Sequence, residues 1–132
     1  MKQLFRGGIH PDGHKDMSRG GAPVVVPAPE TVVIPLCQHI GSACKPLVAV
    51  GDSVLMGQKI GDGDGRSSPV HSTVSGKVTA IEEHEVPGGG KVPSVVIKND
   101  FKDTKAEMKG AANWESLDAK AIADIVRECG IV

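Results

Sequence analysis

Five histidines (His10, His14, His39, His71, His84) and three cysteines (Cys37, Cys44, Cys129) are the side chains in this sequence best suited to metal or nucleophilic chemistry. Their tightest grouping is Cys37-x-His39 followed by Cys44. A structural zinc site takes four ligands at spacings such as C-x2–4-C and H-x3–5-H, and this grouping offers neither. Iron–sulfur ligation needs runs such as C-x2-C-x2-C-x3-C-P; the chain has no C-x-x-C, so no cluster is expected on it. Three widely separated cysteines form no disulfide framework and read as thiols. His71, in Pro69-Val70-His71-Ser72, could be read as a phosphoacceptor, but a hydrogen bond to a neighbouring loop is its expected role. Ser67 and Ser68 lack a His and Asp at informative spacing. The glycine-rich stretches Gly61–Gly65 and Gly88–Gly90 match no phosphate loop and read as hairpin tips. No catalytic constellation is expected.

The elements that position these residues follow from pattern. The chain has 132 residues, with 17 glycines, 9 prolines and only three aromatic side chains, Phe5, Phe101 and Trp114. That balance favours turn-rich β-structure with an aliphatic core over a helical bundle. A formal charge of −1 and the scarcity of aromatics give nucleic acid neither a basic field nor stacking platforms. The apolar runs are too short and too often broken by proline for a membrane span, which needs about 20 residues. The N-terminus lacks the apolar stretch of a secretory signal, and a cytosolic location is the expectation.

Four regions are expected. Residues 1–30, rich in Gly, Pro and charge, form an extended arm, with Val24-Val25-Val26 between Pro23 and Pro27. Residues 31–100 hold short β-branched runs separated by Gly-containing turns: TVVIPL, PLVAV, DSVL, STVSGKVTAI and PSVVIK. Residues 101–113 have linker composition. Residues 114–130 space Trp114, Leu117, Ala121, Ile122, Ile125, Val126 and Cys129 as an amphipathic helix, with Ser116 or Asp118 to cap it and Gly130 to end it. The arm, with Arg6, His10, Lys15 and Arg19, is the expected interaction surface, packed along the barrel.

The stretch Val48–Ile81 reads V-x-x-G-D-x-V-x-x-G-Q-x-I, a glycine-rich loop, then S-P-V-H-S-x-x-S-G-K-V-x-x-I. Gly51-Asp52 and Ser75-Gly76-Lys77 mark turns, and Val54, Ile60, Val74, Val78 and Ile81 point inward. This spacing resembles the barrel-sandwich hybrid fold of biotinyl and lipoyl carrier domains. The fold expected is mainly β, a barrel-sandwich hybrid with an extended N-terminal arm and a C-terminal α-helix. Carriers present an acylatable lysine at the tip of the central hairpin. Here that tip, Gly63–Ser68, has none, and Lys59 lacks flanking methionines, so no biotin or lipoyl group is expected.

Four motifs in order extend the resemblance. Phe5-Arg6-Gly7-Gly8-Ile9-His10-Pro11 followed by Lys15 is similar to the F-x-G-G-I-H-P-x-x-x-K signature of the C subunit of the Rnf electron-transport complex. Pro35-Leu36-Cys37-Gln38-His39-Ile40-Gly41 resembles its P-L-x-Q-H-I-G stretch. Gly51-Asp52-x-Val54 through Gly57-Gln58-x-Ile60, then Pro69-Val70-His71-Ser72, continue the match. In that family the helix ending in G-I-V runs into a G-L-G-G-A-x-F-P-T loop that opens a flavin- and nicotinamide-binding domain, so a chain ending at Gly130-Ile131-Val132 reads as an N-terminal piece of a longer protein.

The resemblance implies a peripheral subunit on the cytoplasmic side of the membrane, in a complex that passes electrons between ferredoxin and NAD and moves an ion. It implies FMN and two 4Fe-4S clusters for the full-length protein, none of them in this chain. Other subunits of the complex and the downstream nucleotide-binding domain are the implied partners. Gly7, Gly8, His10, Pro11, Lys15, Gln38, His39, Gly51, Asp52, Pro69, His71 and Gly76 are the family-motif positions to which fold-defining or interaction roles attach. Alternative to this scaffold and docking module is a free-standing carrier domain of the biotinyl or lipoyl type.

Overall fold

A computed structural model describes residues 8, 11–107, 110 and 113–132. Gly7 and His10, with Phe5, Arg6 and Ile9 of the same motif, lie outside the described residues. Among the described residues seven strands follow one another: β1 (Thr31–Pro35), β2 (Lys45–Pro46), β3 (Ser53–Val54), β4 (Lys59–Asp62), β5 (Val70–His71), β6 (Gly76–Glu85) and β7 (Lys91–Asn99). One helix, α1 (Ala119–Glu128), closes the sequence. The strands form two antiparallel sheets, ordered β1-β7-β6-β3 and β2-β4-β5.

The core between the sheets is aliphatic. Ile34, Leu36, Val54, Ile60, Val70, Val74, Val78, Val95 and Ile97 are buried together with Cys44, and Val32, Val48 and Ile81 pack against them. Each such side chain taken out of water contributes about 1.5–3 kcal/mol. The inward positions expected at Val54, Ile60, Val74 and Val78 are all buried.

The motif glycines set the closest backbone approach within the larger sheet and the turn at the barrel end. At Gly76 a Cβ would collide with the Lys98 carbonyl, so β6 crosses β7 at a separation only glycine permits. Gly51 adopts φ 99°, where a side chain would strain the backbone. The turn it makes is fastened on both sides: Gly51 N donates to Val78 O, Val78 N donates to Asp52 O, and Ala49 N donates to Asp52 Oδ2, all at 2.8 Å. Gly51, Asp52 and Gly76 therefore shape the barrel end.

Several segments differ from the sequence expectation. PLVAV is strand only at Pro46; Leu47 and Val50 are more than half exposed, because the run turns across the barrel end instead of entering a ladder. The polar stretch Glu82–Glu85 continues β6, pairing with Lys91–Ser94 as a ribbon projecting past β1 and β3. The segment read as linker stays on the barrel as far as Ala106: Met56 N donates to Thr104 O at 2.9 Å and Ala106 N to Met56 O at 2.8 Å. The helix begins at Ala119, not Trp114, since Leu117 is extended and separates a 3-10 turn at Trp114–Ser116 from it. The described part of the arm expected to pack along the barrel differs: from Pro11 to Glu30 every residue is exposed, the Val24–Val26 run lies between prolines and reaches no core position, and only the Pro29 and Glu30 carbonyls are tied to the barrel, by Asn99.

Ile60 is fully buried, while Val33 is 41% exposed. Replacing Ile60 by Ala is expected to cost roughly 2–5 kcal/mol in urea denaturation, and Val33→Ala less than about 0.5 kcal/mol. Equal losses at the two positions would contradict this placement of the core.

Candidate docking site

The hairpin joining β4 to β5 ends in the loop Gly63–Pro69. In a carrier domain this tip would present the acylated lysine. Here it is gripped from two sides.

One grip comes from the loop between β1 and β2. Ser68 N donates to His39 Nε2 at 2.8 Å, which leaves the ring proton on Nδ1, 3.2 Å from the Ile40 carbonyl that accepts it. Gly41 follows so close to the Arg66 carbonyl that a Cβ would collide with it. The Cys44 thiol donates to Ser68 O at 3.1 Å, and Cys44 N donates to Leu36 O at 2.8 Å. Burial, then the nearby Asp62 charge, push this thiol up from its ordinary value, so Cys44 is a structural donor and not a nucleophile. Gln38 is exposed and turns back on its own strand, its Nε2 donating to Pro35 O at 3.0 Å.

The other grip comes from α1. Asp118 caps the helix, its Oδ1 accepting from Ala121 N at 2.7 Å, and Gly130 ends it at φ 72°. Arg127 Nη2 donates to Asp62 Oδ1 at 2.7 Å and to Gly63 O at 3.0 Å. Lys59 Nζ bridges Asp62 Oδ2 at 2.9 Å and Glu128 Oε2 at 2.7 Å. The Arg127 guanidinium, with Lys59 and the Gly63 amide, holds the Asp62 carboxyl far below the usual carboxylate range. Glu128 and then Asp62 raise the Lys59 ammonium above its ordinary value. A lysine held cationic between two carboxylates has no free lone pair for acylation.

The motif residues Pro69 and His71 form the seat of the helix end. A Cβ at Gly130 would meet Pro69 O and the His71 ring. His71 makes no ring hydrogen bond among the described residues, so the expected bond to a neighbouring loop is replaced by packing under Gly130. Thus His39, Pro69 and His71 converge on one face, Gln38 borders it, and Gly51, Asp52 and Gly76 lie in the barrel's turns. Gly8, Pro11 and Lys15 are exposed in the arm and join neither group. Sequence reasoning misses Asp62 and Arg127 as partners. Their separation along the chain hides the pair; only the placement of a single arginine in the helix's last turn points toward it.

No group of three or more His, Cys, Asp or Glu among the described residues is disposed to hold a metal. No helix among them is long and apolar enough to cross a membrane. What the site does is hold: a loop, a hairpin tip and a helix end are joined by directional bonds.

Two antiparallel sheets joined by a central hairpin over an aliphatic core define a barrel-sandwich hybrid domain. Residues 3–102 match the family described as RnfC Barrel sandwich hybrid domain, and the chain belongs to that family. It is 43% identical, over 97% of its length, to the C subunit of the Na(+)-translocating ferredoxin:NAD(+) oxidoreductase complex of Acetobacterium woodii. It is 40% identical, over 100% of its length, to the C subunit of the proton-translocating counterpart of Clostridium ljungdahlii. The C subunit of the ion-translocating oxidoreductase complex of Klebsiella pneumoniae is 39% identical over 96% of the chain. The chain spans 29% of the length of the first two relatives and 17% of the third.

Because the folded carboxyl of Asp62 titrates below its unfolded value, its contribution to stability is complete above the ordinary Asp range near pH 4 and is lost as pH falls below it. Protection of the α1 amides against exchange, corrected for intrinsic rates, should therefore hold near neutrality and drop on acidification below about pH 4. Asp62→Asn should lower that protection several-fold already at neutral pH. Unchanged protection in Asp62→Asn would show that the ion pairs do not hold the helix.

Proposed function

We propose that this chain is a scaffold and docking module of the C subunit of an ion-translocating ferredoxin:NAD oxidoreductase complex. The clamped hairpin tip carries the reading. A carrier domain works by moving a modified lysine between active sites, whereas this tip has no lysine and is tied to His39 on one side and Arg127 on the other. Family membership supports the same choice, since the relatives are named as parts of such complexes.

In this reading electron transfer belongs to the remainder of the full-length protein, where FMN and two 4Fe-4S clusters reside. The described residues offer no ligand set for a cluster, and no step of electron transfer runs through them. The barrel, with its motif face at His39, Pro69 and His71, fixes the helix end on which the rest of the protein is carried. The arm positions Gly7, Gly8, His10, Pro11 and Lys15 contact other subunits or the nucleotide-binding domain. The assembly sits peripherally on the cytoplasmic side of the membrane.

Removing residues 3–102 from a full-length relative should leave the membrane complex without its C subunit and abolish ferredoxin-dependent NAD reduction. Retention of the truncated protein with undiminished reduction would refute a docking role. Intact-mass measurement of this chain, expressed with biotin and lipoate ligases, should show the unmodified mass; a gain matching either cofactor would restore the carrier reading.

A further inference from the structure

We propose that two copies of this chain associate by exchanging the Val24–Val26 segments of their arms, each laid along strand β1 of the other copy. Two unsatisfied features of the molecule complement each other.

The first is the outer edge of β1. It ends the four-stranded sheet, with β7 on one side and no strand on the other among the described residues. Asn99 N donates to Glu30 O and Leu36 N to Pro93 O. Residues of even number thus bond to β7, and by antiparallel alternation Thr31 and Val33 turn their N–H and C=O groups outward. A groove of about 940 Å³ runs along this edge, lined by all of Thr31–Pro35 as well as Ile40, Val86 and Pro87. Side chains of consecutive strand residues alternate between faces, so five in a row line one groove only where it follows the strand's edge. Among its lining side chains only His39 can carry a positive charge, and Cys37 is the sole other titratable group. Unpaired edges of this kind are templates for another strand.

The second is the arm. Gly20–Pro29 carries no charge, and Val24, Val25 and Val26 are 85%, 92% and 80% exposed. Three β-branched residues held extended between prolines are a strand without a sheet. Val24 and Val26 are spaced two apart, as are Thr31 and Val33, so the amides of the first pair can meet the outward groups of the second. Pro23 and Pro27 then fall on the opposite parity, where a missing N–H costs nothing. They also leave the added strand with a poor outer edge, which stops growth at a closed pair instead of a fibre.

The arm cannot reach its own β1. Such a hairpin must turn within Pro27-Ala28-Pro29, because Glu30 is already bonded to β7. Ala28 precedes a proline and is driven from the helical region, and Pro29 cannot take the left-handed conformation that short hairpin loops need near their end. Pro29 O is also pinned by the Asn99 side-chain amide at 3.1 Å. The occupant is therefore a second copy.

Sedimentation equilibrium of the whole chain over a range of concentrations tests this. A reversible monomer–dimer equilibrium is expected. Deleting residues 1–27, or introducing Val24→Asp with Val26→Asp, should raise the dimer dissociation constant more than about tenfold, while the circular dichroism of the barrel stays the same. Val33→Lys, on the accepting edge, should weaken the dimer comparably. A chain that stays monomeric at every concentration would overturn the proposal, as would a dimer that survives arm deletion. So would a monomer whose Val24 and Val26 amides are protected from exchange, since that shows the arm folded onto its own edge.

Discussion

Every buried apolar side chain among the described residues is aliphatic or a cysteine, and the architecture follows from that constraint. Without rings to span the distance between sheets, a small core excludes water only if the backbones themselves draw together. Glycine makes this possible where the sheets approach: a Cβ at Gly61 in β4 would run into the Leu36 side chain that follows β1, while Gly76 lets β6 and β7 of one sheet close up at the Lys98 carbonyl. Phe101 and Trp114, the aromatic residues that the structure describes, stand at 57% and 64% exposure and contribute nothing to this core. A fold held by close backbone approach is sensitive to added volume at its glycines and to lost volume at Ile60 or Ile97.

The same economy explains why α1 is held as it is. The barrel core is filled by its own aliphatic residues. None of the helix residues is buried, and Ile122 and Val126 are 39% and 40% exposed. The attachment is made instead by charge and direction: Arg127 and Lys59 share the two oxygens of Asp62, and Glu128 closes the circuit. Exposed pairs contribute little singly, but a shared, partly buried carboxylate that also caps the Gly63 amide fixes an angle as well as a distance. Such an attachment positions a helix without fully burying it: Ala121 and Ile125 are half-covered, while Ile122 and Val126 remain exposed.

The strands are legible where β-branched residues alternate, as in Thr31–Ile34 and Val95–Ile97, and the turns where glycine follows a β run. The two-residue strands β2 and β3 carry no periodicity to read. The extension of β6 through Glu82–Glu85 is hidden because, beyond the barrel, neither face of the ribbon needs apolar residues. The helix's apolar stripe correctly indicates its existence and part of its inward face, since Ala121 and Ile125 are half-buried, but it says nothing of the ion pairs at Arg127 that fasten it. Of the site, the motif positions His39, Pro69 and His71 are recognisable by resemblance, and their convergence is not. Nor can Asp62 and Arg127 be paired, since long-range contacts leave no mark in a single sequence.

The clamp also bears on how one fold serves two purposes. A barrel-sandwich hybrid offers a rigid body with one protruding hairpin. If the tip is short of internal bonds and ends in a lysine, the hairpin is a swinging arm; if the tip is tied down, it becomes a fixed point. In this chain Asp62 and Ser68, near the two ends of the tip loop, are each anchored to an element distant in sequence, by Arg127 and by His39. The bond at His39 depends on a neutral imidazole accepting from an amide, and the bond at Arg127 on an ionised carboxylate. The tip loop is thus bonded at both ends, and the hairpin whose tip would carry an acylated lysine in a carrier domain here holds the end of a helix.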